Sequence, residues 1–252
     1  MGLCAACILL HQKPRGWCHG KMLSADDWSR SAQSVVAVVA GEDRVAIDVD
    51  LAGCDADFAV GCTYKYLNGG PGSPGFIFVN EALIEEVRPA LSGWLGHEAP
   101  FAFDLDFRPD PGIGRMRVGT PPVLALAALD VALDAWEGVE MADVRARSIE
   151  LSERLIVGVE ASCPTLDLAS PRNPDNRGSQ VACRHPEGYA VMQALIACGV
   201  IGDFRAPDLI RFGITPLYLE EADIDRAVEI LIEIMATDAW DTPEYRKRKA
   251  VT

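Results

Sequence analysis

The chain has 252 residues, a formal net charge of −14 and a hydrophobic fraction of 49%. This suits one large domain or two smaller ones around a sizeable core, and the acidic balance argues against nucleic acid or an anionic membrane as partner. Eight cysteines (Cys4, Cys7, Cys18, Cys54, Cys62, Cys163, Cys183 and Cys198) lack the regular spacing of a secreted disulfide scaffold and read as reduced thiols of a cytoplasmic protein.

Taken in order, residues 1–44 form an atypical N-terminal segment. Its apolar run from Leu3 to Leu10 is too short to cross a bilayer and has no basic residue before it, so neither a membrane span nor a signal peptide is expected. Cys4, Cys7, His11, Cys18 and His19 invite a zinc reading, but their spacing matches no common arrangement, and no metal is expected. Ser34 to Ala40 is an apolar run that can form a strand, and Arg44 to Val49 alternates like one.

Ala56 to Val60 is a short apolar run bounded by small residues, the pattern of a buried strand. Lys65 follows, between Tyr64 and Tyr66, and the span Asn68 to Gly75 then holds four glycines and two prolines, which gives a tight turn. Phe76 to Val79 reads as a second strand, and so short a connection makes the two strands neighbours. A lysine at a strand exit, fenced by aromatics, is poorly solvated, so its neutral amine becomes available as a nucleophile or base.

Glu81 to Pro89 reads as a short helix, and Ser92-Gly93-Trp94 and Pro100 to Gly114 as loops. Thr120-Pro121-Pro122 reads as a helix start, with Thr120 as N-cap and the prolines in the first helical positions. The helix that follows, Val123 to Trp136, is apolar around most of its circumference apart from Asp130, Asp134 and Glu137. It is expected to be buried in the fold or against a partner. Gly138 marks a boundary.

Beyond it come a long helix, Met141 to Ala161, with Arg145, Arg147, Glu150, Glu153 and Arg154 solvated, and strands at Thr165 to Ala169 and Gln180 to Cys183. A helix over Pro186 to Ala197 precedes strands around Phe204 and at Leu209 to Ile214. The last helix, Ala222 to Met235, places Ile224, Ala227, Val228, Leu231 and Met235 on one face. Arg246 to Lys249 reads as a frayed basic tail.

The string GCTYKYLNGGPGSPGF resembles the cofactor-lysine segment of kynureninases, fold-type I enzymes dependent on pyridoxal 5′-phosphate (PLP). The runs Leu91 to Trp94, Arg117 to Pro121, His185 to Tyr189 and Arg211 to Tyr218 follow in the same order as in that family, so the resemblance covers about residues 45–252. It implies an α/β fold of the PLP-dependent transferase type: a partial large domain over residues 45–138 and an α+β small domain over 139–252.

The implied activity is hydrolysis of L-kynurenine, or its 3-hydroxy form, to the anthranilate and L-alanine, as in tryptophan catabolism and NAD biosynthesis. Lys65 would carry PLP and later move the substrate α-proton, and Tyr64 would hydrogen-bond the cofactor phosphate. Trp94 and Thr120 would reach that phosphate from the neighbouring subunit of a homodimer. Arg211, alternating with Ile210 and Phe212 on a strand, needs an anionic partner. The resemblance supplies the substrate carboxylate, and a structural ion pair is the competing use. His97 and His185 are weaker candidates; His185 suits the start of a helix better than catalysis.

The resemblance fails upstream. The family's aspartate, which pairs with the pyridinium nitrogen, falls by gap-free counting on Val39, and its histidine falls on Glu42. Asp43 or Asp48 would have to take over the aspartate's role. The change near Val45 reads as a truncated or frame-shifted start. One alternative is therefore an inactive kynureninase remnant; another is a different fold-type I enzyme, a cysteine desulfurase or class V aminotransferase.

Overall fold

The structure, a computed structural model, describes residues 37–40, 47, 51, 53 and 56–248. They belong to two compact units that divide between Gly138 and Val139. The apolar run expected as a strand supplies β1 (Ala37–Ala40), followed by β2 (Phe58–Cys62) and β3 (Gly75–Val79) in the first unit. β1 runs parallel to β2, and β3 lies antiparallel to β2, with Phe58 opposite Val79 and Cys62 opposite Gly75. The apolar runs either side of the glycine-rich turn are thus neighbours, as their short connection requires. Of the expected strand from Arg44 to Val49, only Ile47 is among the described residues, in a bend.

Two local expectations are corrected here. Glu81 to Pro89 forms only a 3₁₀ turn, Glu81–Leu83, capped by the Asn80 side chain accepting from the Ala82 N–H at 3.1 Å. None of its residues is buried, so no packing offsets the cost of helix nucleation, and Pro89 keeps Arg88 out of helical geometry. Helix α1 (Val123–Leu133) starts three residues after Thr120, with Pro122 as N-cap and no capping side chain. The physical reason is local: Pro122 disfavours helical geometry at Pro121, so Pro121 cannot be a first helical residue and the start slides past both prolines. Within this chain α1 buries only Leu129; Val123, Leu124 and Val131 stand exposed.

The second unit opens with α2 (Met141–Ser162) and continues through β4 (Asp167–Leu168), β5 (Gln180–Arg184), α3 (Gly188–Ala197), β6 (Asp203–Arg205), β7 (Leu209–Gly213), α4 (Glu221–Ala236) and α5 (Pro243–Arg246). The strands form an antiparallel sheet in the order β4-β5-β7-β6. Val181, Cys183, Phe204, Ile210 and Phe212 are its buried residues, and they join Leu151, Leu155 and Ile156 of α2, Met192 and Leu195 of α3, and Leu231 of α4 in one core. Alternate strand residues, including Gln180, Asp203 and Arg211, lie half-buried on the other side of the pleat. Where α2 meets α4, a Cβ on Gly158 would stand 2.7 Å from Val228 Cγ1, so glycine permits the approach.

Two charged stretches are less solvated than the sequence suggests. Arg145 donates to the carbonyls of Pro174 (2.5 Å) and Arg177 (3.0 Å), while Glu153 accepts from buried Arg177. The basic tail is also engaged: Arg246 pairs with Asp241 at 2.9 Å and Glu187 at 3.3 Å, and the Arg248 guanidinium lies 5.7 Å from the Tyr189 ring.

Candidate active site

The lysine loop is held by its own backbone and by two hydroxyls. The Gly69 N–H donates to the Thr63 carbonyl at 3.0 Å, the Gly70 N–H to the Tyr64 carbonyl at 3.2 Å, and the Asn68 N–H to the Lys65 carbonyl at 2.8 Å. Thr63, buried at the exit of β2, places its hydroxyl 2.6 Å from that of Ser73 and 2.5 Å from the Pro74 carbonyl, tying both ends of the loop together. Gly70 (φ +74°) and Gly72 (φ +90°) occupy left-handed geometry, which a side chain disfavours. Gly69 has a different reason: its Cβ would meet Ser73 Oγ at 2.4 Å and the Thr63 carbonyl oxygen at 2.8 Å.

Lys65 therefore sits on a pinned turn, half-buried, its Nζ 5.0 Å from the centroid of the Tyr64 ring. Tyr66 packs against Trp136 with ring centroids 5.8 Å apart. The Tyr64 ring is 41% exposed, and its hydroxyl has no hydrogen-bond partner among the described residues.

The loops that carry Trp94 and Thr120 meet in a backbone contact. A Cβ on Gly93 would stand 1.6 Å from the Val118 carbonyl oxygen, so only glycine admits this approach. Trp94 packs edge-on to Phe101 at 5.7 Å, and its indole nitrogen faces the Gly119 backbone, 4.0 Å from where a Cβ would lie. The Thr120 hydroxyl, freed from capping, and the Trp94 Nε1 both lack hydrogen-bond partners among the described residues.

The two histidines are structural anchors. Buried His97 accepts the Ala99 N–H at Nδ1 (2.9 Å), so its proton sits on Nε2, which donates to the Asp106 carbonyl at 3.2 Å. His185 accepts the Glu187 N–H at Nδ1 (3.1 Å) just ahead of α3 and packs edge-on to Trp240 at 5.3 Å. Burial lowers its pKa, against the opposing pull of Glu187 and Asp238.

Arg211 lies on β7 in the second unit, its side chain 16% exposed. Its Nη2 donates to Asp203, directly opposite on β6, and its Nη1 lies 3.5 Å from Gln180 Oε1 on β5. Its Nε is buried with no partner. Asp203 also lies 3.5 Å from Arg205, so two guanidiniums share that carboxylate.

Sequence reasoning did not single out Asp203, the Thr63–Ser73 pair, or Arg115, which is buried and donates to the carbonyls of Asp110 (2.8 Å), Val87 (3.2 Å) and Pro111 (3.4 Å). For Asp203 a signal existed: three charges, Asp203, Arg205 and Arg211, alternate with apolar residues on adjacent short strands. Val39 lies in β1 opposite Val60 of β2. Glu42, Asp43, Asp48 and the N-terminal cysteine and histidine cluster fall outside the described residues. Among the described residues, no helix is long and apolar enough to cross a membrane.

Comparison with known proteins places this geometry in context. Residues 144–231 match the kynureninase C-terminal domain family. The chain is 44% identical over 251 residues to the kynureninase of Burkholderia mallei (strain SAVP1), a match covering 98% of this chain and 60% of that protein. It therefore reaches into residues ahead of Val45. Against the kynureninase of Pseudomonas fluorescens the identity is 46% over 209 residues, covering 82% of this chain and 50% of that protein. The chain thus spans less than two thirds of the curated relatives it matches.

Among solved structures, the apo cysteine desulfurase of Thermococcus onnurineus NA1 superposes with a TM-score of 0.63 at 17% identity, covering 84% of this chain and 54% of that one. The alanine–glyoxylate aminotransferase of Nostoc sp. gives 0.59 at 18%, covering 80% and 54%. A mutant of the cystine C-S lyase C-DES, with glycine covalently linked to its PLP cofactor, gives 0.61 at 19%, covering 75% and 49%. At such identities the likeness speaks for the fold alone, and the fold is α/β of fold type I.

Proposed function

From its kinship with the kynureninases, over 60% of the length of a relative that it matches at 44% identity, we infer that this chain carries the lysine part of a PLP-dependent kynureninase site. The reaction would be hydrolysis of the Cβ–Cγ bond of L-kynurenine or 3-hydroxykynurenine, releasing the anthranilate and L-alanine. The observation that carries the reading is one lysine on a pinned turn beside Tyr64, in a chain whose Trp94 and Thr120 also keep donors to spare. Lys65 sits on the turn locked by Thr63 and Ser73, while the Tyr64 hydroxyl, Trp94 indole and Thr120 hydroxyl are uncommitted among the described residues. A primary amine plus neutral donors suits a phosphate-bearing aldehyde, so the residues present fit PLP.

When bound, PLP supplies an electron sink for charge developing at the substrate α-carbon. Lys65 would attach it through Nζ and afterwards move the α-proton as a general base. Tyr64, Trp94 and Thr120 would donate hydrogen bonds to its phosphate, Trp94 and Thr120 across a homodimer interface. Arg211 would bind the substrate carboxylate through its guanidinium. A cytoplasmic homodimer serving tryptophan catabolism is the setting that this reading implies.

Borohydride reduction of the chain after incubation with PLP, followed by peptide mapping, tests the assignment. The expected result is a tag on the Tyr64–Lys65 peptide, absent in Lys65→Ala. A tag on another lysine would overturn the site, and no tag would favour an inert remnant.

A further inference from the structure

Arg211 can hold a carboxylate only if its guanidinium is kept in one orientation, and the structure contains a residue placed to do this. Asp203 and Arg211 face each other across β6 and β7, and Gln180 flanks Arg211 from β5 on its other side. A guanidinium offers five N–H donors. Here the described acceptors are the Asp203 carboxylate on Nη2 and the Gln180 carbonyl, 3.5 Å from Nη1. Nε has none. Guanidinium N–H groups thus remain for a further acceptor, and Asp203 is shared between two guanidiniums, those of Arg205 and Arg211.

We propose that Asp203 is a positioning residue: its carboxylate fixes the Arg211 guanidinium so that the remaining N–H edge is presented to the carboxylate of an amino-acid ligand. This rests on the reading of Arg211 as the carboxylate-binding residue. It makes a prediction opposite in sign to simple electrostatics. Removing a negative charge beside a carboxylate site should tighten binding if charge alone matters, because like-charge repulsion is relieved. If Asp203 positions Arg211, removing it lets a long side chain relax among rotamers, and binding weakens.

The test is titration of the ¹⁵N-labelled full chain with L-alanine, following the Arg211 Nε–H resonance assigned through Arg211→Lys. L-alaninamide, which lacks the carboxylate, serves as control. The wild type should shift with L-alanine and not with L-alaninamide, and Asp203→Asn should raise the dissociation constant by about ten- to a hundredfold, as expected for loss of a charge-assisted contact. Asp203→Glu keeps the charge on a longer arm and should also bind more weakly than wild type. It carries the test should Asp203→Asn fail to fold. Equal or tighter binding by these variants overturns the positioning role. A wild type that ignores L-alanine overturns the assignment of Arg211 itself, and the positioning role with it.

Discussion

Replacing Gly69 by alanine is the sharpest test of how the lysine loop is held. The added methyl would stand 2.4 Å from Ser73 Oγ, 2.8 Å from the Thr63 carbonyl oxygen and 3.0 Å from Leu129 Cδ1. The Ser73 hydroxyl could turn away only by giving up its 2.6 Å contact with Thr63 Oγ1. The Thr63 carbonyl cannot rotate independently of the chain, and it already accepts the Gly69 N–H at 3.0 Å. Relief must therefore stretch that turn. Overpacking at about 1–3 kcal/mol and a weakened hydrogen bond at about 0.5–1.5 kcal/mol together give roughly 2–4 kcal/mol.

Amide exchange read by mass spectrometry over the peptides from Phe58 to Val79 measures this directly. Where local opening governs exchange, protection should fall by about thirtyfold or more. Adding Ser73→Ala to Gly69→Ala should recover part of the loss but not all, because the carbonyl contact remains. A cost under about 0.5 kcal/mol would mean that the loop has slack, and that the Thr63–Ser73 lock does not set the position of Lys65.

Other expectations follow from the same geometry. His185 has a folded pKa below its unfolded value near 6.5, so the native state favours neutral imidazole; its stabilisation is present above that unfolded value and is lost as pH falls below it. Thermal midpoints measured from pH 7.5 down to pH 5 should drop more steeply in the wild type than in His185→Gln. Thr120→Val should leave thermal stability within about 0.5 kcal/mol, whereas a true N-cap would cost about 1 kcal/mol. If Thr120 also grips the cofactor phosphate, the same variant should release PLP faster on dialysis. Leu124, 88% exposed, should tolerate Leu124→Asp with under about 0.5 kcal/mol lost from the isolated chain. Sedimentation should show that variant losing any self-association in which the apolar face of α1 is covered.

Much of this protein is decided by short-range chemistry and was therefore legible in its residues. The glycine-rich turn makes β2 and β3 neighbours because so few residues join them, and helical spacing puts Ile224 and Leu231 in the core and Val228 against it, although Ile230 and Ile234, outside the expected face, are buried as well. The lysine segment is legible for the same reason: its tight turn is written in consecutive glycines and prolines. Even the start of α1 was open to local reasoning, since the effect of Pro122 on Pro121 is a nearest-neighbour clash that outweighs a favourable capping residue.

What only the tertiary structure decided involves partners distant in sequence. A loop distant in sequence brings the Pro174 and Arg177 carbonyls to Arg145 and the Arg177 guanidinium to Glu153, so two α2 charges that look solvated on a helical wheel become half-buried. Gly93 meets Val118 backbone-to-backbone, a contact with no side chain to announce it. Arg211 needed an anion, and its identity depended on strand register: the antiparallel pairing of β6 with β7 places Asp203 opposite it, rather than any other of the chain's many carboxylates. A residue's type states which partner it requires, but register and packing choose the partner, because they alone set which side chains come within hydrogen-bonding distance.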